Sequence, residues 1–76
     1  HLINPKTQKS DTEILCVYVT HKIWVFADIF STALFVSPLE ISQKVLKNVD
    51  GLEALIILKN GRIHKTPGFN VELSIW

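Results

Sequence analysis

Residues 24–36 read "WVFADIFSTALFV". Ten of these thirteen residues are apolar; the exceptions are Asp28, Ser31 and Thr32. A run that is apolar on every side carries no period to separate helix from strand. Length separates them, because a strand usually spans about 5–6 residues. The run therefore reads as a helix, with Thr20 as an acceptable N-cap. A helix apolar all round is expected to be buried. Asp28 then becomes a carboxylate inside a core. Such a group needs a partner, a metal ion or a proton.

The flanking segments supply the rest of the fold. Before the helix, "TEILCVYVT" (12–20) is rich in β-branched and aromatic residues. Strict alternation puts Ile14, Cys16 and Tyr18 on one face and Leu15, Val17 and Val19 on the other. Both faces are apolar, which points to a central strand covered on both sides. After the helix, Ser37-Pro38-Leu39-Glu40 reads as a capping box with proline at the first helical position. The second helix sets Ile41, Val45 and Val49 on one stripe, with Leu46 beside it. Gln43, Lys44 and Lys47 point outward. Asp50-Gly51 ends it, with Gly51 free to turn left-handed.

"EALIILK" (53–59) reads as a further strand. Asn60-Gly61 is a two-residue hairpin signal, and 62–65 should return antiparallel. Pro67-Gly68 breaks the ladder. Residues 69–76 alternate as a half-exposed final strand would. Residues 1–11 are polar around Pro5 and should be extended or turning, never helical. The class is α+β: an antiparallel or mixed sheet with two consecutive helices packed on it. The order is loop, strand, helix, helix, strand and strand, with one more strand at the end.

The totals bound the possibilities. With 76 residues, the chain is a single small domain or a domain fragment. Its apolar share of 47% is that of a globular protein, so disorder is excluded as a class. A net charge of +1 is no electrostatic footprint, and the basic run at 59–65 has no interleaved aromatics. Nucleic acid is not an expected partner. Cys16 is the sole cysteine, which excludes an internal disulfide and a cysteine-based zinc site. It reads as a small core residue. No apolar run reaches the ~18 residues of a membrane span, and no signal peptide is legible. The chain contains no methionine and begins at His1. The expectation is a processed or truncated product whose upstream part, with any targeting signal, lies elsewhere.

On a helix, residues three and four apart share a face. Asp28, Ser31, Thr32 and Phe35 therefore align. A carboxylate and a hydroxyl one turn apart are two hard oxygens that suit Mg²⁺, which keeps several waters and takes substrate phosphate oxygens. The plainer alternative is that Asp28 caps a turn, or accepts from Ser31 and Thr32 within the core. His1 could act as a general base or phosphate partner. His21 and His64 read as surface residues. There is no glycine-rich phosphate loop, and no complete catalytic set can be assembled.

Three separated pieces resemble one family. "HLINPKT" is similar to the H-I-I-D-P-R-T-G motif of the ApbE proteins, the FAD:protein FMN transferases once described as thiamine biosynthesis lipoproteins. "ADIFSTALFV" resembles their A-D-A-L-S-T-A-L-F-V helix. "DGLEALIILKNGRIHKTPGF" resembles their closing G-x-E-A-L-I-I segment, which ends in S-x-G-F. The resemblance implies transfer of FMN from FAD to a threonine or serine hydroxyl of an acceptor protein, with release of AMP. It implies Mg²⁺ on the pyrophosphate, held by Asp28 and Thr32. It assigns the transfer histidine to His1 and a flavin-side residue to Ile3. Asn4, Lys6 and Gln8 depart from the motif's Asp, Arg and Gly.

The chain resembles only the C-terminal part of the family. The upstream portion, with most of the FAD pocket and another metal ligand, is an expected partner. Alone, the chain is not expected to be catalytic. The resemblance also implies a bacterial cell envelope or periplasmic location. The rival expectation is a non-enzymatic interaction module. There, Asp28 is only a structural acceptor, and an exposed two-sided strand favours self-association.

Overall fold

The computed structural model describes residues 3–7 and 11–69. In chain order the elements are β1 (Ile3–Lys6), β2 (Ile14–Thr20), α1 (Trp24–Val36), α2 (Leu39–Asn48), β3 (Glu53–Leu58) and β4 (Ile63–Lys65). The strands form one antiparallel sheet in the order β1-β2-β3-β4. The fold is α+β, as the periodicities indicate. Residues 70–76 of the expected final strand, together with His1 and Gln8, lie outside the described residues.

The connection between the two central strands explains the layout. Helix α1 has 13 residues and α2 has 10. At 1.5 Å per residue they run about 20 Å and about 15 Å. That is close to the length of β2, about 23 Å for its seven residues. One helix carries the chain back along the sheet and the other returns it. Strand β3 then enters beside the end of β2, with Glu53 opposite Thr20.

Both helices contribute to one core on one face of the sheet. Ile14, Val17 and Val19 of β2 meet Ala54, Ile56 and Leu58 of β3. Ala27, Leu34 and Phe35 of α1 close over them, and Leu39, Val45, Leu46 and Val49 of α2 pack against the cluster. Cys16 is buried, and its burial pushes the thiol above its ordinary value, partly offset by a hydrogen bond with Tyr18. It is a neutral core residue.

Strict alternation in β2 does not hold. Ile14 pairs with Leu58 and Val17 with Ile56, so the register shifts between Ile14 and Cys16. Leu58 and Ile56 share a face, and Ile14 therefore shares one with Val17. Leu15 is the extra residue of a β-bulge and is 51% exposed. The N-terminal stretch expected to be extended or turning pairs as edge strand β1. Pro5 sits within it opposite Tyr18, a position an edge strand tolerates.

Three turn and cap assignments change. The N-cap of α1 is Ile23, not Thr20, and no side chain caps it there. Thr20 instead ends β2, where its buried hydroxyl has no partner among the described residues. His21 takes over the junction. Its Nδ1 accepts from the Ile23 N–H at 3.0 Å, which leaves the proton on Nε2, 3.1 Å from the Asp50 carbonyl. One ring thus ties the start of α1 to the end of α2, and it also meets Phe26 edge-on at 5.3 Å. Gly51 takes the expected left-handed φ of 78°. A Cβ there would stand 3.4 Å from His21 Nε2.

Ser37 is not the N-cap of α2; Pro38 holds that position. The Leu39 N–H is met at 3.4 Å by the carboxylate of Glu13, just ahead of β2. Ser37 turns backward to α1. Helix ends leave their last four carbonyls unbonded. In α1, Ser37 donates to Ala33 O at 2.7 Å, Ser42 to Leu34 O at 2.9 Å and Thr12 to Phe35 O at 3.1 Å. Three hydroxyls from three segments finish one helix. Ser42 is the buried residue of α2, whereas Ile41 is exposed. Gln43 is half-buried rather than outward, with Nε2 3.3 Å from His64 Nδ1.

The hairpin between β3 and β4 has a three-residue loop, Lys59 to Gly61, closed by Leu58 N–H to Arg62 O at 2.8 Å. A two-residue type I′ turn needs positive φ at both central positions. No non-glycine residue has positive φ among the described residues, so Asn60 does not adopt it. Gly61 does, at 91°. Asn60 uses its side-chain oxygen to accept the Arg62 N–H at 2.9 Å.

Candidate functional site

The largest difference from expectation concerns α1. Its buried residues are Ala27, Ser31, Leu34 and Phe35. Their spacing of four, three and one is a single stripe along one side. The remaining sides face outward, with Trp24 63%, Ile29 54% and Val36 60% exposed. The helix is not buried all round. Its composition is apolar because an apolar outer surface adds to an apolar inner one.

Asp28 and Thr32 lie on that outer surface, and both are exposed. The carboxylate is therefore not a buried charge. Its partner is a residue of another element: Asn4 Nδ2 donates to Asp28 Oδ1 at 3.0 Å. Asn4 pairs with Val19, whose side chain belongs to the core under α1, so Asn4 projects from the same face of the sheet. Strand β1 lies against α1, which lets its amide reach the helix. Ser31 does not serve the carboxylate; its hydroxyl bonds the Asp28 backbone carbonyl at 2.8 Å.

The other site expectations fall as follows. Ile3 is on β1, half-buried, one residue before Asn4 and so on the opposite sheet face, across from Thr20. Lys6 shares the face of Asn4. The structure brings the first and second of the three quoted sequence pieces together through the Asn4–Asp28 bond. It does not bring Ile3 to the Asp28 side. Asn4 as a partner of Asp28 was missed by sequence reasoning. Alternation along residues 3–6 would have placed it, had those residues been read as a strand.

A hard divalent cation suits the donors present. Asp28 and Thr32 are oxygen donors one helical turn apart and open to solvent. Mg²⁺ takes few protein ligands and keeps waters or substrate oxygens for the rest. Among the described residues, no cluster of three or more His, Cys, Asp or Glu could hold a metal ion. Asp28 and Thr32 would therefore be a partial coordination set. No helix among the described residues is long and apolar enough to cross a membrane.

A separate cleft of about 590 Å³ opens between the end of α2 and strand β4, at the opposite edge of the sheet from β1. Lys47 and Lys65 line it along with Asp50 and Glu53, so its charges balance. Neither Ile3, Asp28 nor Thr32 lines it.

Comparison with curated proteins and with solved structures finds no match. A family model does match, over residues 1–56. That span holds β1, β2, both helices and most of β3, and with them Asn4, Asp28 and Thr32. It covers well over half of the 76 residues, and the chain belongs to the ApbE family.

Proposed function

We propose that this chain is the C-terminal part of a Mg²⁺-dependent flavin transferase, which moves FMN from FAD to a threonine or serine of an acceptor protein. The observation that carries the proposal is the family match over a span containing an exposed Asp28 and Thr32 one turn apart on α1. In this reading Asp28 and Thr32 hold the cation. When bound, Mg²⁺ would neutralise charge on the pyrophosphate oxygens.

The reaction balances simply. The acceptor hydroxyl oxygen bonds to the phosphorus on the FMN side of the pyrophosphate. The bond from that phosphorus to the bridging oxygen breaks, and AMP leaves with the electron pair. The hydroxyl proton passes to a base, for which His1 is the candidate. Helix α1 supplies rigidity: three hydroxyls fix its last turn, and His21 fixes its first. Ile3 is the candidate flavin-side contact. The chain would act together with an upstream portion that completes the FAD pocket, in the bacterial envelope or periplasm.

The test uses the protein that carries this segment, with FAD, Mg²⁺ and an acceptor protein. Covalent flavin fluorescence on a denaturing gel is the expected result. Asp28→Ala should abolish it. Labelling that survives Asp28→Ala removes the metal assignment.

A second reading has its own observation. The exposed apolar residues of α1, Trp24, Val25, Ile29 and Val36, form the kind of surface that binds a protein partner. A non-enzymatic or self-associating module would show concentration-dependent sedimentation and no flavin transfer.

A further inference from the structure

Asp28 Oδ1 accepts the Asn4 amide at 3.0 Å. The orientation of that amide follows from chemistry. Turned over, it would set its oxygen against the carboxylate with only lone pairs between them. The donor is delivered from a separate element at a fixed position. Asn4 is held in register by its pairing with Val19, and Asp28 by the helix. Neither has to search for the other. The bond is charge-assisted, the stronger kind of hydrogen bond, although solvent weakens it here.

A cation and an N–H donor want the same lone pairs. Mg²⁺ arrives with a demanding octahedral shell and its waters, which take up the space around a carboxylate oxygen. An amide seated on Oδ1 occupies one of that oxygen's lone-pair directions and stands where the ion's bound waters would sit, so the two crowd each other. We propose that Asn4 sets the cation affinity of Asp28 by competing with the ion for its carboxylate. The inference rests on the reading of Asp28 as a cation ligand, and it adds a specificity-determining residue on β1. With Asn4 in place, Oδ1 already has a donor, and the ion takes that oxygen only when its gain exceeds that of the amide.

The experiment is Mg²⁺ titration of the protein that carries this segment, followed by calorimetry and by the amide resonances. Asn4→Ala should bind Mg²⁺ about three- to tenfold more tightly, since the competing bond is gone. Asn4→Val, a strong strand former without a donor, should do the same and guards against loss of β1. Asn4→Asp should tighten binding further, because two facing carboxylates repel until a cation sits between them. In the unaltered chain, the Asn4 side-chain NH₂ signals should move as Mg²⁺ is added. Binding that is unchanged or weaker in folded Asn4→Ala and Asn4→Val overturns the competition.

Asp28→Asn separates this inference from the reading beneath it. If Asp28→Asn loses Mg²⁺ but the position-4 variants are no tighter, the inference alone fails. If, in the protein that carries this segment together with its upstream portion, Asp28→Asn binds Mg²⁺ as well as the unaltered form, or if no form binds it, the metal reading fails and the inference goes with it.

Discussion

Helices α1 and α2 close over the same core, yet they meet solvent in opposite ways. Helix α2 turns Glu40, Lys44, Lys47 and Asn48 outward and keeps Leu39, Val45 and Leu46 toward the core. Helix α1 buries a narrow stripe and shows water Trp24, Val25, Ile29 and Val36, with Asp28 and Thr32 among them. Two helices with the same inner task therefore carry different outer tasks. The exterior of α2 is made for water except at Ile41, a single exposed apolar side chain. That of α1 combines apolar contact area with two oxygen donors, which is what a surface facing another protein layer and a ligand requires.

The contrast makes graded predictions. Beneath both helices, Leu34 is almost fully buried, and Leu34→Ala should cost about 2–5 kcal/mol in a denaturant titration. A loss well under 1 kcal/mol would mean that α1 is not anchored by its inner stripe. Ser42 comes next. It is the point where α2 holds the end of α1, buried and bonded to Leu34 O. Ser42→Ala should destabilise by about 1–3 kcal/mol, with the amide exchange of α1's last turn rising first.

A smaller loss is expected at Glu13, which caps α2 from outside the helix. Glu13→Ala should lower stability by about 0.5–1 kcal/mol, read from the thermal midpoint, and Glu13→Gln by less. The smallest effect belongs to the outer side of α1. Ile29→Lys should change the stability of the chain by no more than about 0.5 kcal/mol. If it destabilises by far more, and the sedimentation coefficient falls with it, the outer face is covered in solution by a second copy. The two helices would then differ less than their sequences suggest.

Much of this was legible in the residues. The helix assignment of 24–36, the strands at β2 and β3, the left-handed Gly51 and the antiparallel return at β4 all follow from periodicity, length and turn chemistry. The departures have physical causes. Thr20 and Ser37 are good capping residues, but a neighbouring side chain took the place of the first and a tertiary one that of the second. His21 and Glu13 satisfy the N–H groups that Thr20 and Ser37 were expected to meet.

An all-apolar helix does not say which of its sides is inner. That comes from Ala27 and Ser31, small residues that let the helix sit close to the sheet. Within the candidate site, the helical spacing of Asp28 and Thr32 was readable. The reach of Asn4 was not, because it depends on a four-residue edge strand that no turn signal or apolar pattern marks, with Val19 as the partner of Asn4.

The bulge at Leu15 has a consequence for how β2 can change length. In a regular strand, deleting any residue turns every side chain on one side of the cut to the other face. Strand β2 already carries one residue more than its partner needs. Removing Leu15 would bring Ile14 next to Cys16 and restore plain alternation, with Ile14 and Val17 still facing the helices. Position 15 is thus the place where β2 can lose a residue and keep its faces. Deletion of Val17 could also be absorbed by the bulge, but only by moving Cys16 into the place of Val17 against the helices and Leu15 into that of Cys16.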